Sequence, residues 1–135
     1  MTVERNELFE VRSANDIVRV RQRVREWAVE TGFSLVDQTK MVTATSELAR
    51  NTVEHGGGGT ARVELIADGG RRGLRLTCED RGPGIADIQL ALKDGYTSRG
   101  GLGLGLGGAR RLVNEFVIES RPGEGTRVVI TRWSR

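Results

Sequence analysis

Three stretches of this 135-residue chain combine side chains that can do chemistry at spacings that let them act together. In "SELARNTVEH", Glu47, Asn51 and His55 recur at i, i+4 and i+8. On a helix such positions stack along one face, with about 6 Å of rise per step. A carboxylate placed there can take a proton from an attacking hydroxyl. A neutral amide oxygen next to it can ligate Mg2+, a hard cation that keeps several of its waters. The wet side of an amphipathic helix has the same look, since Val42, Leu48, Ala49 and Val53 are apolar.

The second stretch is "CEDRGPGI", where Asp80 closes a run of strand character and Gly82 and Gly84 bracket Pro83. Glycines there would let a flat ring approach the backbone, with Asp80 accepting from an exocyclic amine. The same residues also make an ordinary tight turn. The third stretch is "RGGLGLGLGG", residues 99–108, with six glycines and three leucines. Linkers rarely carry three leucines. Interior glycines weaken strands, despite the alternation of Leu102, Leu104 and Leu106. A loop whose bare amides wrap a phosphate is a further reading.

Gly103, Gly105 and Gly108 satisfy G-x-G-x-x-G, the fingerprint of dinucleotide folds. That fold is excluded. No strand leads directly into the run, and the 27 residues after Gly108 are too few for the remaining βαβ units. A Walker A loop is excluded because no Gly-Lys-Ser/Thr occurs. Length and the missing H-R-D and D-F-G exclude a bilobal protein kinase. What remains is a glycine loop leading into "LGGARRLVNEF", where amide donors and a helix dipole suit a polyphosphate, with the leucines anchoring the loop to the core.

The elements that must hold these stretches are legible. "ELFEV" alternates and predicts a first strand. "SANDIVRVRQRVREWAVETG" predicts a helix, with Ile17, Val20, Val24, Trp27 and Ala28 on one face and Gly32 as a stop. Ser34 with Asp37 reads as a capping box opening a second helix that runs through His55. "TARVELIA" and "LRLTCED" predict a hairpin across "DGGRRG". A short helix is expected within residues 85–100, a further helix over "ARRLVNEF", and a last hairpin of "FVIES" and "TRVVITRW". The order β-α-α-β-β-loop-α-β-β implies an α+β fold: a two-layer sandwich with a mixed, mostly antiparallel sheet and helices on one face. No repeat or linker divides it, so a single domain over residues 1–135 is expected.

Composition narrows the function classes. Glycine supplies 19 residues, about twice the ordinary share, in clusters that mark built loops. A net charge of +3 and a pI near 9.7 favour an anionic ligand or partner. No long basic block exists, and six aromatic residues are few for stacking on bases, so nucleic acid is not an expected partner. The lone Cys78 rules out an intramolecular disulfide and reads as a small buried residue of a reducing compartment. "MTVERNELFE" has no apolar signal core, and no apolar run approaches the roughly 20 residues of a membrane span. A cytoplasmic protein with no membrane partner is expected.

Taken in order, E-x-x-x-N, D-x-G-x-G, G-x-G-x-G and the pair Gly125-Thr126 resemble the GHKL superfamily of ATP-binding domains. Gyrase, Hsp90, MutL and histidine kinases share that domain, and the resemblance runs from about Ser34 to Trp133. It implies the Bergerat sandwich, with ATP and Mg2+ bound between helices under a mobile lid. It also implies roles for single residues. Asn51 matches the Mg2+-binding asparagine, Asp80 the adenine-reading aspartate, and Thr126 the threonine near the adenine. Gly82 and Gly84 match the turn beneath the base. Gly101, Gly103 and Gly105, with Leu102 and Leu104 between them, match the phosphate loop. Glu47 matches the general base, and Arg99 is a candidate for the γ-phosphate.

Within the superfamily, histidine kinases carry a phosphoacceptor histidine on a separate hairpin, whereas the one histidine here, His55, lies beside the metal asparagine. Gyrase, Hsp90 and MutL carry large additional domains. "DGYTSRGGLGLGLGGARRLVNEF" and "GTRVVITRW" closely resemble bacterial serine/threonine kinases of partner-switching systems, of the RsbT type. That resemblance implies phosphorylation of a serine or threonine on a STAS-domain antagonist, and activation by binding of a PP2C-type phosphatase. The alternative is a non-catalytic, nucleotide-dependent anti-sigma factor that sequesters a sigma factor.

Overall fold

The computed structural model describes residues 1–93 and 105–134. The chain forms strand β1 (Thr2–Val11), helices α1 (Ala14–Glu30) and α2 (Leu35–Glu54), and strands β2 (Gly59–Asp68) and β3 (Arg71–Asp80). Two short helices follow, α3 (Ile88–Ala91) and α4 (Leu106–Arg111), and then strands β4 (Glu115–Ser120) and β5 (Thr126–Trp133). The five strands make one sheet in the order β1-β2-β3-β5-β4. All four pairings are antiparallel. This is the expected α+β arrangement, and among the described residues no helix is long and apolar enough to cross a membrane.

Register divides the sheet into two faces, because residues directly opposite in an antiparallel pair point the same way. One row across the strands is Phe9, Ala61, Cys78, Val128 and Ile118, and the next is Val63, Leu76, Ile130 and Phe116. These rows form the core beneath the two long helices. The opposite face carries Arg62, Glu64, Arg75 and Arg127, with Arg75 bound to Glu64 through two nitrogens at 2.7 and 3.1 Å. One face therefore has to be covered and the other can stay wet.

Helix α1 buries Val20, Val24, Trp27 and Ala28, the stripe its periodicity predicts. Ser13 caps its first turn by accepting from the Asp16 amide. Helix α2 opens as expected, with Ser34 Oγ accepting from Asp37 N–H at 3.1 Å. It buries Met41, Ala44, Leu48 and Ala49. Helix α3 is a single turn capped by Asp87, whose Oδ1 accepts from Leu90 N–H at 3.0 Å.

The helix expected over 109–116 is displaced. It occupies Leu106–Arg111, and Glu115 and Phe116 belong to β4 instead. The reason is pairing. Phe116 lies opposite Ile130 and Glu115 opposite Thr131, so sheet hydrogen bonds and core contact outweigh the local helical pattern. The end of α4 is tied down from elsewhere. Arg132 on β5 donates to the Leu112 carbonyl at 2.8 Å and pairs with Asp37 in the first turn of α2, and both side chains are about 10% exposed.

A buried pair that loses one partner leaves an uncompensated charge. Asp37→Ala is therefore expected to destabilise the fold by about 3–5 kcal/mol in urea unfolding at neutral pH. A loss under about 1 kcal/mol, the size of a surface pair, would show that Arg132 is solvated in the folded protein.

Candidate functional site

Helix α2 and the ends of β3 and β5 enclose a pocket. Its apolar wall includes Leu48, Cys78, Ile85, Leu106 and Val128. Its polar groups include Asn51, His55, Asp80 and Thr126. The i, i+4 spacing on α2 thus turns Asn51 and His55 toward the sheet. Asp80 and Thr126 arrive by register, as direct partners across β3 and β5.

The Asn51 amide nitrogen is buried and has no hydrogen-bond partner among the described residues. Such a group in a native fold calls for an explanation, and a role in binding a polar ligand is one. Its amide oxygen is the donor type that Mg2+ accepts. Among the described residues no three His, Cys, Asp or Glu side chains converge into a cage. A cation here would take one protein oxygen and draw its other ligands from phosphates and waters, which is how Mg2+ is commonly held.

Asp80 ends β3 half-buried, and its Oδ1 accepts from Gly82 N–H at 2.9 Å. Burial pushes its carboxyl above the usual carboxylate range. The amides of Gly82 and Thr126 and the nearby His55 ring oppose that shift without cancelling it. Burial likewise pushes the Cys78 thiol up to about 12. Cys78 is thus a protonated, unreactive part of the wall, as a small buried residue should be.

Gly82 and Gly84 have a steric reason within the fold to be bare. A side chain on Gly82 would fall 2.7 Å from the Gly56 Cα, because the turn packs directly on the backbone that follows α2. Gly84 has φ +74, and a Cβ there would lie 2.0 Å from the Arg121 carbonyl. The space their side chains would take is filled by protein backbone. His55 completes the contact: its Nε2–H donates to the Gly84 carbonyl at 3.1 Å. That tie, invisible in sequence, joins the end of α2 to the turn after β3.

Glu47 lies one helical turn before Asn51 and outside the pocket wall proper. Its Oε1 accepts from Arg50 at 3.0 Å. Its Oε2 faces Gly105, the N-cap of α4, where a Cβ would sit 2.2 Å away and φ is +72. The carboxylate is therefore held at the point where the glycine run meets α4. Leu106 is 1% exposed and anchors that end of the run, as the alternating leucines predict. Arg99, Gly101, Leu102, Gly103 and Leu104 lie outside the described residues. Spacing also gave no signal for Ser120, which bonds to Thr126, Gly125 and Ile85 from the neighbouring strand. Its partners are far away in sequence or hidden in a hairpin, so only a hairpin register could have pointed to it.

The model of histidine kinase-, DNA gyrase B- and HSP90-like ATPases matches residues 36–134. The chain belongs to this ATPase family. Domains of this family use ATP, and the match takes in every described polar residue of the pocket. The ATPase domain is 48% identical to the serine/threonine-protein kinase RsbT of Bacillus subtilis, over 89% of this chain and 90% of that one. It is 31% identical to an anti-sigma F factor of Clostridium kluyveri, over 73% and 72% of the two chains. Among solved structures it resembles the RsbU and RsbW domains of a Mycobacterium tuberculosis protein, with a TM-score of 0.64 and 28% identity. That likeness covers 97% of this chain and 33% of the other. The catalytic domain of the histidine kinase ThkA, at 15% identity and a TM-score of 0.52, shares the fold.

The raised Asp80 pKa has a sign that can be tested. Folding disfavours the ionised form, so the penalty is absent below the ordinary aspartate value, grows as pH rises past it and is complete only above the raised one. Asp80→Asn keeps an acceptor for Gly82 and removes the charge. It is expected to melt above the parent protein at neutral pH, with the gap closing in acid. A gap that stays constant from about pH 3 to about pH 8 would contradict this origin.

Proposed function

We propose that this chain is a single-domain, ATP- and Mg2+-dependent serine/threonine protein kinase of a partner-switching pathway, acting in the cytoplasm. One observation carries the reading most directly. A buried Asn51 amide nitrogen with no partner among the described residues, the Asp80 carboxylate and the Thr126 hydroxyl share one pocket, with the Glu47 carboxylate one helical turn away. Membership of the ATPase family and 48% identity to a serine/threonine kinase over most of both chains support it.

Each residue then has a task. Asp80 accepts from the exocyclic amine of adenine, with Thr126 beside it. Gly82 and Gly84 shape the turn that carries Asp80, through the backbone contacts described above. The Asn51 amide oxygen would hold Mg2+, which when bound would supply positive charge to offset that of the phosphates. Gly101, Leu102, Gly103, Leu104 and Gly105 supply the loop around the phosphates, and Arg99 approaches the γ-phosphate. Glu47 orients the acceptor hydroxyl and takes its proton. The acceptor oxygen attacks the γ-phosphorus in line, the bond to the β,γ-bridging oxygen breaks, and ADP leaves. Loop amides offset the charge that develops on the transferring group.

The acceptor is a serine or threonine on a STAS-domain antagonist protein. When released from it, the kinase binds and activates a PP2C-type phosphatase. Neither nucleic acid nor a membrane is a partner. The likeness to anti-sigma F factors supports a second reading, in which nucleotide-dependent capture of a sigma factor is the output and no phosphate moves.

Glu47 separates the two. With radiolabelled ATP and a STAS-domain partner, Glu47→Ala is expected to cut transfer by about 10²–10⁴-fold while nucleotide affinity holds. Unchanged transfer would remove Glu47 from the chemistry, and no transfer by the unaltered protein would favour capture. Asp80→Asn is expected to weaken ATP binding in calorimetry. Unaltered affinity would misplace the adenine site.

A further inference from the structure

We infer that Ser120 is a positioning residue that decides which purine the pocket accepts, by holding the Thr126 hydroxyl as a hydrogen-bond acceptor. This rests on the adenine-nucleotide reading above. Ser120, Thr126 and Asp80 are successive cross-strand partners on β4, β5 and β3, and so share the face that closes the pocket.

The polarity follows from counting protons. A serine hydroxyl has one proton to donate and two lone pairs. Among the described residues Ser120 Oγ has three hydrogen-bond neighbours, each at 2.8 Å: the Ile85 amide, the Gly125 carbonyl and the Thr126 hydroxyl. The Ile85 N–H can only donate, and the Gly125 carbonyl can only accept. The serine proton therefore goes to Gly125. The Thr126 contact then has one assignment left, in which the Thr126 O–H donates to Ser120. With its proton spent on β4, Thr126 can offer the pocket only lone pairs.

Asp80 adds to the same polarity, since an ionised carboxylate is acceptor-only. Two adjacent strands thus present acceptors and no hydroxyl donor. A 6-amino purine brings an N–H to such a surface, directly or through one water. At position 6 a 6-oxo purine brings a carbonyl in place of that amine and meets like polarity there; its own N–H sits on N1, one ring atom away. Without Ser120, the Thr126 hydroxyl is free to rotate and donate into the pocket, and part of the discrimination disappears. Ser120 touches no nucleotide in this scheme and acts only through Thr126.

Affinities for ATP and inosine triphosphate, measured by calorimetry on the full chain, test this. Ser120→Ala is expected to narrow the ATP preference by about three- to tenfold, the size of one hydrogen bond. Ser120→Thr, which restores the hydroxyl, should recover it. Thr126→Val should narrow the preference by a similar factor, and adding Ser120→Ala to it should change the ratio no further. Should Ser120→Ala fail to fold, Ser120→Cys keeps the shape with a weak donor and acceptor and must move the ratio the same way. Equal weakening of both nucleotides by the Ser120 variants, or narrowing that persists on the Thr126→Val background, would overturn the inference. Failure of the adenine site itself reads out separately, as ATP affinity unaffected by Asp80→Asn.

Discussion

The end of α2 and the turn after β3 touch through bare backbone. Gly82 rests on Gly56 with no room for a side chain on either, since a Cβ on Gly56 would fall 2.3 Å from the Asp80 side chain. That contact sets the distance between helix and sheet at the open end of the sandwich. It brings Asp80 next to His55 and keeps Asn51 over the pocket. A side chain at either glycine would wedge the two layers apart just where the polar groups must converge. Gly84 and the His55 tie to its carbonyl hold the same turn from its far side.

The sheet changes character in one step at that end. The row of Cys78, Val128 and Ile118 belongs to the core, and the next row outward is Asp80, Thr126 and Ser120. Because side chains alternate along a strand, two residues of chain separate a dry row from a polar one on the same face. Burial disfavours the ionised form of Asp80 in that row, and the Asn51 amide nitrogen in the same pocket is buried with no partner among the described residues. Groups left in that condition are what a binding site offers a ligand.

Much of this is legible in the sequence because it is local. The caps at Ser13 and Ser34, the buried stripe of α1 and the hairpin of β2 and β3 all follow from spacings within a few residues. Glu47 and Asn51 stood out for the same reason, since a helix converts i, i+4 into one face. Where the local signal and the sheet disagreed, the sheet prevailed. "ARRLVNEF" has helical character throughout, yet Glu115 and Phe116 pair with β5. The glycines of the turn are legible as glycines, but their close packing is not, because the backbone they admit comes from Gly56 and Arg121, both more than 20 residues away.

The sequence by itself determined the element order, the capped helices, the family resemblance and the identities of Glu47, Asn51, Asp80 and Thr126. These rest on short-range periodicity and on motif order, which a linear string contains. Only the tertiary structure decided how those residues meet. Register placed Ser120 beside Thr126, the packing of Gly105 set Glu47 against α4, and a buried Arg132 tied β5 to both α2 and α4. Such contacts join residues up to 95 positions apart, and no local pattern encodes them because each depends on how whole layers come to rest on one another.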